Sequence, residues 1–243
     1  MAEKRILENR QPYHILTRGT DGRKIFLDEN DYYRFIFLFY ACNFGSPAFN
    51  LWKKNIVKAG KAILQGEKPP SKFIQKEHPQ LVDALSLTLI PNHYHSILEQ
   101  LIEKGISIFM QKVNGAYGKY FNLKYQREGR LFQGPFKAIL IKNENHLLRV
   151  LRYVHLNVLD LIQPDWREKG IRNPQTAIKF LNEYPWSTAP DYLGVRNSMI
   201  VTTKGLYNLF FKNFTKKGQE DYKRFLLNWP QKDFKELQPY FLE

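Results

Sequence analysis

Two β-prone runs, residues 84–90 and 94–100, meet at Pro91-Asn92, and this hairpin restricts the fold more than any other stretch of the chain. A two-residue turn commits its flanking runs to antiparallel pairing. Before it come a strand over 12–18, stopped by Gly19 and the turn Asp21-Gly22, and a helix capped by Asp28 or Asn30 that continues through Tyr33, Phe37 and Tyr40. After it come a helix over 107–125, with Met110, Val113, Tyr117 and Phe121 at helical spacing, and a strand over 136–141. Strand, helix, strand, strand, helix, strand is the ferredoxin-like order. It predicts an α+β fold in which an antiparallel sheet carries helices on one face.

The hairpin also carries chemistry. In Leu89-Ile90-Pro91-Asn92-His93-Tyr94-His95-Ser96-Ile97-Leu98 the period of two sends both imidazoles to one face, with Tyr94 and Ile97 expected on the other. Two neutral imidazoles side by side make half of a divalent-metal site, although a polar surface pair fits the same spacing. A further helix is expected over 145–162, where Leu147, Leu148, Val150, Leu151, Val154, Leu156 and Leu159 recur at helical spacing. On it Tyr153 and Asn157 stand one turn apart on one face, so a phenol and a carboxamide can meet the histidines together. A half-buried tyrosine beside an exposed asparagine satisfies the same pattern. His155 lies roughly 200° around the helix from Tyr153 and is not expected as a ligand. His146, two turns before Tyr153, is an outside candidate, and His14 and His78 are unassigned.

Charge narrows the partners. Lys and Arg number 37 against 23 Asp and Glu in 243 residues, a formal charge of +14, and aromatics make up 15%. Such a balance favours a polyanion, and interleaved aromatics suit unstacked bases; a basic but otherwise ordinary enzyme is the bland alternative. The single cysteine, Cys42, excludes an internal disulfide and a cysteine-rich zinc site, and its apolar surroundings from Phe35 to Ala41 predict a buried small hydrophobe. That run is too short to span a bilayer, and Met1-Ala2-Glu3-Lys4-Arg5 opens no apolar signal core, so a cytoplasmic protein without membrane contact is expected.

Two stretches stand apart from the fold order. Residues 43–80 scatter Gly45, Pro47, Gly60, Gly66, Pro69, Pro70 and Pro79 among Lys53, Lys54, Lys58, Lys61, Lys68, Lys72 and Lys76. This reads as an insertion with one short helix, either a phosphate-contacting arm or a solvated loop. Beyond Gly194, Leu206, Tyr207, Leu209, Phe210, Phe211 and Phe214, then Tyr222, Phe225, Leu226 and Trp229, predict two amphipathic helices, more naturally core than a base-stacking surface. The expected division is therefore a domain over 1–194 and a helical extension over 195–243.

Four motifs occur in order: Pro91-Asn92-His93-Tyr94-His95, Gly129-Arg130-Leu131-Phe132-Gln133-Gly134-Pro135-Phe136-Lys137, Arg152-Tyr153-Val154-His155-Leu156-Asn157 and Pro185-Trp186-Ser187-Thr188. With Tyr13-His14-Ile15-Leu16-Thr17-Arg18-Gly19 and Gly22-Arg23-Lys24-Ile25-Phe26, this series resembles the single-tyrosine HUH transposases, specifically the REP-associated tyrosine transposase branch, over residues 11–42 and 82–194. The resemblance implies a ferredoxin-like domain with an added nucleophile-bearing helix. It also implies DNA cleavage and rejoining at single-stranded or hairpin DNA, as in transposition and recombination, with a divalent metal, Mg²⁺ or Mn²⁺. It assigns His93, His95 and Asn157 to the metal and Tyr153 to nucleophilic attack, while Arg130, Lys137 and Arg152 are candidates for DNA phosphates or for favouring the phenolate. The chain departs from the family in having Val158 where a proline usually follows the asparagine, and Pro135 where an arginine is usual. Two other readings stay open: a non-catalytic binder of structured nucleic acid, and a metal-dependent nuclease using water. The sequence leaves both a monomer and a homodimer open.

Overall fold

The computed structural model describes residues 7–47, 54–202 and 216–229. Its centre is a four-stranded antiparallel sheet of β1 (Pro12–Arg18), β4 (Val82–Ile90), β5 (His93–Gln100) and β6 (Lys137–Leu140), in the order β4-β5-β1-β6. With α1 (Glu29–Phe44) between β1 and β4 and α3 (Gly105–Lys124) between β5 and β6, the chain follows the ferredoxin-like order read from the sequence. Gly19 closes β1 where a side chain would not fit: an added Cβ would lie 2.3 Å from the Arg23 carbonyl oxygen.

One face of the sheet is an aromatic and aliphatic core. Tyr13, Ile15, Tyr94 and Leu98 meet Phe35, Phe39, Phe109, Val113 and Tyr117 from α1 and α3. Asp28 caps α1 by accepting from the Asp31 N–H, and Asp31 returns the contact in a capping box. The Asp31 carboxylate also accepts from the hydroxyls of Tyr120 and Tyr125 and from Lys124 Nζ, which fastens the start of α1 to the end of α3. Tyr94, Tyr117, Tyr120 and Tyr125 are thus all committed to this side.

A helix apolar all round must be covered all round, and α1 is such a helix from Phe35 to Cys42. The stretch 43–80 supplies the cover. Its helix α2 (Lys54–Leu64) lays Ile56, Ala59, Ile63 and Leu64 against α1, crossing so closely that a Cβ on Gly60 would lie 2.5 Å from the Tyr33 carbonyl oxygen. A two-stranded ribbon, β2 (Ser46–Pro47) with β3 (Ile74–Gln75), closes the stretch. Lys58, Lys61, Lys68, Lys72 and Lys76 remain exposed on it. Cys42 is fully buried, and burial pushes its thiol up to about 12.

The other face is covered by α4 (Glu144–Leu156), which Asn143 caps, and by the 3₁₀ turn Asn157–Leu161 that prolongs it. Residues 186–188 bond along the open edge of β4, with Leu89 N–H donating to Trp186 O and Thr188 N–H to Leu87 O. Then α5 (Trp166–Lys169), α6 (Pro174–Glu183), α7 (Ala189–Tyr192) and α8 (Lys216–Leu227) complete the layer. Tyr222 and Leu226 of α8 join the cluster built on α4 and are fully buried, as the helical spacing of the tail required. The other expected tail helix, from Leu206 to Phe214, lies outside the described residues. Among the described residues no helix is long and apolar enough to cross a membrane.

Candidate metal and tyrosine site

The strand register sets the site. His93 and His95 open β5 directly after the turn and point toward α4, while Tyr94 points into the aromatic core and donates to Asn114. Ile97 corrects one expectation. Residues 93, 95 and 97 share parity, so Ile97 lies on the histidine face and packs in the α4 cluster, not with Tyr94.

Helix α4 delivers the other half. Tyr153 and Asn157 remain one turn apart although Asn157 opens the 3₁₀ segment, because its N–H still donates to the Tyr153 carbonyl. The Tyr153 ring meets His95 edge-on with centroids 5.4 Å apart, and Asn157 Oδ1 lies 3.1 Å from His93 Nε2. Tyr153, His95 and Asn157 are 0% exposed and His93 is 6% exposed.

Burial governs the charge of this group. It pushes the His93 imidazole down to about 4, helped by Arg18 and Arg167 and opposed by Asn157 and Asp160. It holds His95 well below the usual histidine value, with His93 and His14 adding to the effect. Both imidazoles are neutral near pH 7, the form in which histidine binds a metal.

The hydrogen bonds test whether a cation fits. His93 Nδ1 is 2.7 Å from Asn92 Oδ1, so a neutral His93 donates there and keeps its lone pair on Nε2, facing Asn157 Oδ1. Turning the Asn157 carboxamide over would satisfy His93 but leave the amide oxygen without that neighbour. His95 Nε2 is buried with no hydrogen-bond partner among the described residues, and so is Asn157 Nδ2. With the His95 proton on Nδ1, two imidazole nitrogens and a carboxamide oxygen form a buried set of acceptors. That set suits a divalent ion. No group of three His, Cys, Asp or Glu side chains able to hold a metal occurs among the described residues.

Of the basic candidates, only Lys137 is on this face. It is exposed on β6 opposite Leu16, which on its other side faces His95. Arg130 is exposed in the loop before β6, where its carbonyl accepts from Thr20. Arg152 is turned elsewhere: its guanidinium donates to the Phe225 and Asn228 carbonyls at the end of α8 and lies 4.3 Å from the Phe225 ring centroid. It closes the last turn of α8.

The cation beside the phenol is Arg167. Its guanidinium carbon is 5.5 Å from the Tyr153 ring centroid, and both its terminal nitrogens bond the Asp160 carboxylate, at 2.5 and 2.8 Å. Trp166 Nε1 donates to the same carboxylate at 2.7 Å. Three residues here were given no role by the sequence: Arg167, Arg18 opposite His93, and His14, whose Nε2 is 2.9 Å from His95 Nδ1. His14 and Arg18 share the parity of Leu16, but only the register of β1 against β5 reveals which residues they meet. His155, as its helical angle implied, is no part of the group; it is buried between Tyr222 and Thr188. His146 sits in the first turn of α4, where its ring accepts from the Lys142 N–H.

No family model matches the sequence, and no curated protein matches it. A solved structure described as "Structure of the REP associates tyrosine transposase bound to a REP hairpin" is similar to this chain at a TM-score of 0.45 and 13% identity, over 79% of this chain and 86% of that one.

Proposed function

We propose that this protein is a divalent-metal-dependent enzyme that cleaves and rejoins single-stranded or hairpin DNA through a covalent link to Tyr153. The observation that carries the reading is the meeting of a phenol, two neutral imidazoles and a carboxamide at one buried point between β5 and α4. The ordered motif series of the sequence and its +14 charge supply the nucleic-acid partner. His93, His95 and Asn157 would hold the ion, Mg²⁺ or Mn²⁺, which when bound offsets charge on the phosphate oxygens.

The chain's own residues do the rest. Tyr153 gives up its phenol proton, its oxygen bonds the phosphorus, and the bond from phosphorus to the 3′ oxygen breaks; the departing oxygen takes a proton to become a free 3′ hydroxyl. Reversal of the same step rejoins strands without ATP. A phenol titrates near 10 unless aided, and Arg167 is the cation placed to favour the phenolate. Its pairing with Asp160 tempers that help. Because Tyr153 is completely buried, a strand reaches it only after the side chains that cover it move aside. Lys137 and Arg18 are cations of this face for backbone phosphates, and Arg130 is exposed in the loop that leads into β6.

The same burial favours a second reading, a binder of structured nucleic acid that does not cut. Single-stranded and hairpin DNA labelled at either end, incubated with Mn²⁺, separates the two. The proposal expects a covalent protein–DNA band carrying only the 3′ label, with the 5′-labelled piece released. Binding with no covalent band in either labelling removes the enzymatic reading.

A further inference from the structure

We infer that His14 is a positioning residue that fixes the proton of His95 on Nδ1, leaving the His95 Nε2 lone pair for the metal. This rests on the metal reading above but adds a residue that reading does not need. A neutral imidazole has one proton and two nitrogens, so a neighbour that engages one nitrogen decides the role of the other.

His95 Nδ1 is engaged by His14 Nε2 at 2.9 Å, with the two rings within 9° of parallel. Two proton arrangements satisfy this contact. If His14 donates, the His95 proton sits on Nε2, a buried N–H with no hydrogen-bond acceptor among the described residues. If His95 donates, its Nε2 keeps a lone pair turned toward Asn157 and the His14 proton goes to His14 Nδ1, so each arrangement leaves one N–H to be placed away from this contact and the metal decides between them. Only the second lets His95 act as a ligand.

The arrangement at His93 is the same in kind. There Nδ1 is engaged by Asn92 Oδ1 at 2.7 Å, and Nε2 faces Asn157. Each proposed ligand thus has its Nδ1 held and its Nε2 presented, as metal-bound histidines usually donate their second nitrogen to an acceptor. For His93 the acceptor is a carboxamide from the turn, and for His95 it is an imidazole from the next strand. The antiparallel register puts Leu16 beside His95 and His14 beside Ile97, so His14 reaches His95 diagonally. The His14 side chain is enclosed, 1% exposed, with its ring edge-on to Tyr153 at 6.0 Å.

The test needs no catalysis. Nitrogen NMR of the wild-type protein with Mg²⁺ reads which His95 nitrogen carries the proton, and calorimetry with Mn²⁺ alone reads affinity in wild type, His14→Gln and His14→Phe. The expected results are a proton on Nδ1, a loss of about 10- to 100-fold in Mn²⁺ affinity for His14→Phe, and recovery of most of it in His14→Gln, whose side-chain oxygen accepts the same hydrogen bond. A proton on Nε2 in wild type overturns the inference even where a variant fails to fold. So does wild-type affinity in His14→Phe, or a loss in His14→Gln as large as in His14→Phe. Failure of the metal reading looks different: wild type then binds no Mn²⁺, while the His95 proton still decides the direction of the hydrogen bond.

Discussion

The two faces of the sheet are both buried, but they are buried differently. Toward α1 and α3, the polar atoms of Tyr94, Tyr117 and Tyr120 are paired with Asn114, the Ile25 carbonyl and Asp31. Toward α4, His95 Nε2 and Asn157 Nδ2 are buried without a hydrogen-bond partner among the described residues. Unpaired buried polar atoms cost stability of about 1–3 kcal/mol each. Ser96 Oγ, on the Tyr94 side, also lacks a partner among the described residues, but it is a lone hydroxyl, whereas the α4 side gathers an unpaired imidazole nitrogen and a carboxamide beside a buried phenol. The histidine face is where chemistry is to be sought.

Removing the acceptor set sharpens this contrast most. His93→Ala with His95→Ala should abolish calorimetric Mn²⁺ binding and lower cleavage by roughly 10³-fold or more, since a metal supplies several kcal/mol of charge stabilisation. Unchanged Mn²⁺ affinity would end the metal-site claim. On the opposite face, Phe35→Ala should cost about 3–5 kcal/mol in a denaturant titration and leave the Mn²⁺ affinity of the folded fraction as it was. Equal effects of the two changes on metal binding would erase the distinction between the faces.

Acid should reach the histidine face first. Burial holds His14 and His155 down to about 3 and His93 down to about 4, and His95 well below its usual value. The unfolded chain therefore takes up protons near pH 6.5 that the folded chain refuses. The stability involved is complete above about 6.5 and is lost as pH falls from there toward 4, at roughly 1.4 kcal/mol per pH unit for each such imidazole. Urea midpoints should drop between pH 7.5 and 5.5; a flat profile would mean the imidazoles are not buried as described. The smallest effects separate the basic residues. Lys137→Ala should flatten the logarithmic dependence of single-strand affinity on salt by about 0.7, one phosphate's worth. Arg152→Ala should leave that slope unchanged and lower the melting temperature, because its partners are the α8 carbonyls.

The element order was legible because each element carries its own period and caps: β1 spans Pro12–Arg18 as its flanking Gly19 requires, and Asp28 caps α1. The hairpin histidines and the Tyr153–Asn157 pair were legible because one turn of helix and one repeat of strand are local distances. What joins elements was not. Which residue of β1 lies beside His95 depends on register, so His14 stayed hidden. The side of α4 that carries Arg152 was locally indistinguishable from a phosphate-facing one until α8 was seen packed on it. Ile97 was a matter of parity and readable in the sequence itself. Residues 43–80, rich in glycine, proline and lysine, gave no sign that the all-round apolar α1 needed their helix as its cover.

The account stands or falls on the phenol. Mass spectrometry of protein trapped with single-stranded DNA and Mn²⁺, run in parallel on wild type and Tyr153→Phe, tests it directly. The account predicts a nucleotide on the wild-type peptide containing Tyr153 and, in Tyr153→Phe, no adduct despite retained folding, Mn²⁺ binding and DNA affinity. A nucleotide on Tyr94, Tyr117, Tyr120 or Tyr125, or cleavage by Tyr153→Phe at the wild-type rate, would contradict it.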